Sequence, residues 1–243
     1  PALVFDFKGN YYRKSATDST FSSAMTHTAS SNATMVDSDG VLKWRPHNNI
    51  TKSNTFSTWN RTRSTVVDNA VDGPTGIANT ASTVNFTSTT SNLFNLSTVA
   101  VSAGDKITLA AWVRSDTITS LTLSINGWTQ PDNNTPMTNL TVTSAWTLLE
   151  FEVTVQANDT GLYFVFGWTN SNNVNTQIGV FEIYGAHMYR SDLGGMVNNS
   201  EQPTGFETYV PTTTSVVYGP RVGHHIYNGS AWVNEGILHE SEA

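Results

Sequence analysis

The chain has 243 residues, with 12 Lys and Arg against 19 Asp and Glu, a formal charge of −7, and no cysteine. That balance, with no run of basic residues, argues against a nucleic-acid partner. The lack of cysteine excludes disulfides and thiol chemistry.

Ser, Thr and Asn together supply 85 of the 243 residues. Solubility therefore comes from hydroxyls and amides, and Thr in strands with Asn in turns leans the composition towards all-β. No apolar stretch approaches the roughly 20 residues of a membrane helix, so no membrane partner is expected. The opening PALVFDF has neither an initiator Met nor a basic leader, and the chain is expected to be part of something longer.

Taken in order, ATMVDSDGVLKW (33–44) reads as strand, turn, strand. TGIANTASTVNF and SNLFNLSTVAV supply further strands. After a turn at Ala103-Gly104-Asp105 comes a strand with Ile107, Leu109, Ala111 and Val113 on one parity and Thr108, Ala110, Trp112 and Arg114 on the other. LTLSINGW (121–128) follows, with Leu121, Leu123 and Ile125 on one face and Thr122, Ser124, Asn126 and Trp128 on the other. QPDNNTP is a loop. WTLLEFEVTVQ places Leu149, Phe151, Val153 and Val155 inward and Glu150, Glu152 and Thr154 outward. LYFVFGW is apolar on both parities, as a central strand is, and IGVFEIYGAHMYR is a long final strand. Near the end, HHIYNGSAWVNEGILHE carries Asn228-Gly229, a hairpin signal.

Strands at this spacing without helical periodicity predict an all-β protein, a two-sheet sandwich or jelly roll over residues 51–190. The segments 1–50 and 191–243 each hold hairpins too small to fold alone. They are expected to pair with each other as a small β-subdomain formed from both termini.

Several stretches resemble modules of bacteriophage tail and tail-fibre proteins. RKSATDSTF and SNATMVDSDGVLKWRPHNNITKSNTFSTW resemble their opening hairpin and the His-Asn stretch after it. Pro74-Thr75-Gly76 matches a Pro-x-Gly turn, IYGAHMYR the last jelly-roll strand, ETYVPT the segment after it, and GPRVGHHIYNGSAWVNEGILHESEA the closing segment. Together these address nearly the whole chain. The resemblance implies a carbohydrate-binding jelly roll located in a virion tail or tail fibre and touching the host surface. Its implied partners are a bacterial surface glycan or polysaccharide and the other modules of a larger virion protein. Related modules often hold a structural calcium with paired Asp on the last strand. Here FEIYGAHMY offers only Glu182, with His187 and Tyr189 where the closing motif usually has Gln and Glu. No cofactor is therefore carried over with certainty.

A sugar site needs exposed aromatic faces for C–H packing beside amides and hydroxyls for the ring substituents. Trp128 on an otherwise polar parity meets that need, with Asn126 beside it. If the strand before LTLSINGW pairs with it as a hairpin, Trp112 and Arg114 join the same face, near Asn126. Trp168, after LYFVFGW, and Trp59, ahead of the sandwich, would rim it. Core packing competes with display for these tryptophans, above all Trp112 and Trp168, which sit in strongly apolar sequence.

Catalytic motifs do not appear. Glu150 and Glu152 share a face about 7 Å apart along one strand, but catalytic carboxylate pairs flank a substrate from different elements. His224 and His225 are adjacent in a strand and point to opposite faces, so they do not chelate together. The Asp-Ser-Asp-Gly turn lacks the rest of a calcium loop. The expected function is non-catalytic carbohydrate binding. The alternatives are a structural spacer of a tail fibre, and the binding part of a larger polysaccharide-degrading enzyme.

Overall fold

The computed structural model describes residues 3–95, 101–127, 137–157, 162–167 and 176–238, and the side chains at 126, 127 and 137 lie outside that description. The chain divides into two compact units, one of Asn48–Arg190 with Pro211–Val216, the other of Pro1–His47, Ser191–Val210 and Val217–Ala243.

The described residues of the larger unit form ten strands: β1 Asn60–Thr62, β2 Ser64–Val71, β3 Ala81–Phe86, β4 Asn92–Phe94, β5 Lys106–Arg114, β6 Ser120–Gly127, β7 Met137–Thr141, β8 Thr147–Thr154, β9 Leu162–Gly167 and β10 Gly179–Arg190. They form two five-stranded sheets, ordered β7-β6-β9-β4-β1 and β8-β5-β10-β3-β2. β3 pairs with β10, β4 with β9, β5 with β8 and β6 with β7, every pair antiparallel. That nested pairing is the connectivity of a jelly roll, with β1 and β2 added at the edges.

The alternation read from the sequence fixes what lies between the sheets. Ile107, Leu109, Ala111 and Val113 of β5 and Leu121, Leu123 and Ile125 of β6 are all buried in one core with Leu149 and Val153 of β8. Phe86 and Phe181 meet edge to face with ring centroids 5.0 Å apart, a favoured arrangement for buried rings. Apart from the return at Pro211–Val216, the chain enters and leaves this unit at one clasp. The Asn49 N–H donates to the Met188 carbonyl (2.8 Å), and the Asn48 side chain accepts from the Met188 N–H and donates to the Ala186 carbonyl, both at 3.1 Å.

The smaller unit is built from both ends of the chain. Leu3–Asp6, Tyr11–Lys14 and Thr17–Ser19 form a meander, while Thr34–Val36 pairs with Leu42–Trp44 and Val222–Tyr227 with Trp232–Ile237. In the last hairpin the Asn228 side chain accepts from the Ser230 and Ala231 N–H groups, closing the turn that Gly229 enters at φ 97°. Bonds between the two ends hold the unit together. The Val36 N–H donates to His224 Nδ1 (3.1 Å), Asn234 Nδ2 donates to the Lys8 carbonyl (3.0 Å), and the Ser22 N–H donates to the Glu201 carboxylate. Gly40, at φ 78°, lies against the Trp232 indole so closely that a Cβ there would overlap the ring.

Candidate functional site

The outer face of the β7-β6-β9-β4-β1 sheet is organised in ladder rows, because residues in register on neighbouring strands share a face. One row runs Asn60–Phe94–Val165–Ser124 across β1, β4, β9 and β6. On one side of it Thr62 pairs with Asn92 and Thr122 with Asn139. On the other, Tyr163 stands in register with Asn126. Phe94 and Tyr163 are both half-buried, and their rings lie 5.9 Å apart at 40°. Asn60, Thr62 and Asn139 are exposed, and the Ser124 hydroxyl is buried with no hydrogen-bond partner among the described residues. Burial pushes the Tyr163 phenol above its ordinary pKa, so the ring is neutral at physiological pH. No described side chain on this face is charged. The arrangement combines aromatic area with amides and hydroxyls, the pairing a polyhydroxylated ligand needs.

The structure separates the residues grouped from sequence. β5 and β6 belong to different sheets, so Trp112 and Arg114 are not on the face of Asn126, and the expected hairpin is corrected to a crossover between sheets. Trp112 is 5% exposed. Its register partners Leu148 and Tyr184 flank it on both sides, and the Tyr184 ring lies 6.2 Å away. The Arg114 Nε donates to the Glu182 carboxylate, and its guanidinium lies 4.9 Å from the Trp146 ring centre. Glu182, the one acidic residue of the last strand, is thereby committed to an ion pair.

Trp59 is likewise corrected from rim to core. It is 3% exposed, its ring stacks 6.0 Å from Phe166, and its Nε1–H donates to the Lys52 carbonyl. Asn126 holds its strand position opposite Tyr163. Trp128 and Trp168 lie outside the described residues. The strand ends they follow are at opposite ends of the sheet, because β6 and β9 run antiparallel with Gly127 opposite Leu162 and Leu123 opposite Phe166.

The outer face of the second sheet holds the carboxylates considered for catalysis. Glu152 pairs with Lys106 at 3.0 Å, while burial raises the Glu150 pKa. Tyr189 is pushed up to about 12, first by burial and then by the Glu150 charge. Among the described residues no three His, Asp or Glu side chains are grouped to hold a metal ion. Phe94 and Tyr163 belong to the candidate face but were not singled out in the sequence. Their signal was the alternation itself, since Leu93 and Phe164 point inward and leave their neighbours outward.

No protein-family model and no curated protein matches the chain. Among solved structures it is similar to the enzymatically active domain of tailspike protein 4 from bacteriophage CBA120, with 15% identity, a TM-score of 0.42, and 59% of this chain against 21% of that one. It spans about a fifth of that domain. It is also similar to the CBM22-1 xylan-binding domain from Paenibacillus barcinonensis Xyn10C, with 9% identity, a TM-score of 0.41, and 67% of this chain against 97% of that one. A family 16 carbohydrate-binding module shows 16% identity and a TM-score of 0.39 over 58% of this chain and 99% of its own. The jelly roll follows from the strand pairing alone.

Proposed function

We propose that the chain is a non-catalytic carbohydrate-binding module whose site is the outer face of the β7-β6-β9-β4-β1 sheet. The observation that carries this reading is the pair of half-buried rings, Phe94 and Tyr163, set among Asn60, Asn92, Thr122 and Asn139 on a face whose described side chains are all neutral. The rings offer flat apolar area for sugar C–H groups, and the amides offer both donors and acceptors to sugar hydroxyls. Asn126 and, two residues further along the chain, Trp128 are the proposed extension of the same site, with Trp168, which follows β9 in the sequence, a further candidate. The setting we propose is a phage tail or tail fibre contacting the host surface, which rests on the resemblance of the flanking motifs. Binding would be weak per site and strengthened by several copies.

The test is a glycan and polysaccharide array probed with the purified chain, followed by titration of any hit with wild type and Tyr163→Ala. Saturable binding that Tyr163→Ala weakens is expected. A blank across bacterial, plant and algal polysaccharides would favour a structural spacer.

A further inference from the structure

We infer that the site selects an uncharged glycan and seats one of its hydroxyl or hydroxymethyl groups in a small pocket at the edge of the sheet. This rests on the proposed carbohydrate-binding face and names what that face takes.

The first observation is electrostatic. A carboxylate or sulfate laid on Phe94 and Tyr163 would give up water and meet no cation, which is costly. The outer parities of β1, β4, β6, β7 and β9 contain no Lys or Arg. The connecting segments 96–100, 128–136, 158–161 and 168–175 contain none in their sequence either. The formal charge of −7 opposes an anionic polymer further.

The second observation is a small cavity of about 30 Å³ where β6 begins, with Ser120, Thr122, Asn139, Thr176 and Gln177 around its walls and Phe86 against it. That is room for about two water molecules, which suits one hydroxyl or hydroxymethyl group of a sugar and not a whole ring. Its polar walls are built in. The Gln177 Oε1 accepts from the Thr119 N–H (2.7 Å), its Nε2 donates to Thr119 Oγ1 (3.1 Å), and the Thr122 hydroxyl donates to Asn139 Oδ1 (2.5 Å). Thr122 accordingly presents acceptor lone pairs, while the Asn139 amide group and the Ser120 hydroxyl are left to donate. All of these groups are neutral. Thr122 and Asn139 belong both to the cavity and to the ladder beside the Phe94 row, so cavity and face are continuous.

The test is titration of wild type, Tyr163→Ala, Asn139→Ala and Asn139→Trp against paired panels of neutral and uronate-containing or sulfated glycans, with far-UV circular dichroism checking each fold. Asn139 is exposed, so its variants are expected to fold. Neutral ligands should bind at least about tenfold tighter than charged ones. Asn139→Ala should weaken them about three- to tenfold, as loss of one or two hydrogen bonds does, and Asn139→Trp should block the pocket and weaken them more. Equal or tighter binding of anionic glycans, lost in Tyr163→Ala, would overturn the neutral assignment and leave the face as the site. Neutral binding that Tyr163→Ala removes but both Asn139 variants retain would overturn the pocket. A blank on both panels removes the face and the inference together.

Discussion

Phe94 and Tyr163 sit on adjacent strands with ring centroids 5.9 Å apart, on the one outer face of the sandwich whose described side chains are all neutral. Both are half-buried, so each already holds a fixed orientation while keeping part of its ring open. Alanine at either position should weaken glycan binding about tenfold or more, as loss of an aromatic anchor does, with the sandwich still folded. Titration calorimetry alongside thermal melting checks this; loss of the fold with either variant would assign the rings to packing.

Trp59 behaves in the opposite way. It is enclosed by Phe56, Phe164 and Phe166 and donates its indole N–H to Lys52. Trp59→Ala should cost about 3–5 kcal/mol of stability, measured by denaturant unfolding, and Trp59 should be shielded from an aqueous quencher in the native state.

Arg114 and Glu182 test the separation of the two faces. Arg114→Ala removes an ion pair and the contact with Trp146, so stability should fall by about 1 kcal/mol, the modest value of a partly exposed pair. Glycan affinity should stay at the wild-type value. A matched drop in affinity, seen in the same titration, would put Arg114 back in the site.

His224 makes the terminal unit sensitive to acid. Its Nδ1 accepts from the Val36 N–H, which requires the unprotonated ring nitrogen. Burial, then Arg221 and His225, lower its pKa from 6.5, against a smaller opposing effect of Glu235. His27 is lowered too, by burial, Arg45 and Arg221. In each case the unfolded chain takes up the proton first. Stability is therefore full above about pH 6.5 and lost as pH falls below it towards the folded-state values. Melting followed from pH 8 to pH 5 should show the decline. His224→Asn keeps an acceptor for Val36 without titrating near neutrality, so it should make the decline shallower, leaving the part due to His27.

Gly40 joins the two ends of the chain by what it lacks. Gly40→Ala would place a methyl group into the Trp232 indole at a φ of 78°. The clash and the left-handed backbone both oppose it. A loss above about 1 kcal/mol is expected in the terminal unit, read by the melting of a hairpin-specific probe such as Trp232 fluorescence, with glycan binding by the sandwich retained.

Parity was legible in the sequence, and sheet membership was not. The inward sets of β5, β6 and β8 are those read from alternation, with Phe151 only partly buried against the core. Both terminal hairpins also announced themselves, one by Asp-Ser-Asp-Gly and one by Asn228-Gly229. Alternation says which side chains share a face of one strand, but it carries no information about the neighbour. The six residues between Arg114 and Leu121 have the look of a hairpin turn yet carry the chain from one sheet to the other. Trp112 and Asn126 were joined on that assumption. Composition also drew attention to tryptophan, whose size makes burial its commoner fate, and away from a Phe and a Tyr within short apolar strands. The meander of Leu3–Ser19 was missed because its strands of three and four residues are too short to show a period.

The clasp at Asn48, Asn49, Ala186 and Met188 brings the first and last residues of the sandwich together. Apart from the short return at Pro211–Val216, the whole jelly roll is therefore an insertion between two segments of the terminal unit. Two crossovers at this clasp would replace the proposed recognition face by another, provided the incoming sandwich also accepts the Pro211–Val216 return, which bonds to Ile50, Lys52 and Ser53. The flanking unit would keep its sequence while specificity turns over, and grafting a foreign sandwich between Asn48 and Arg190 is the laboratory form of the same exchange.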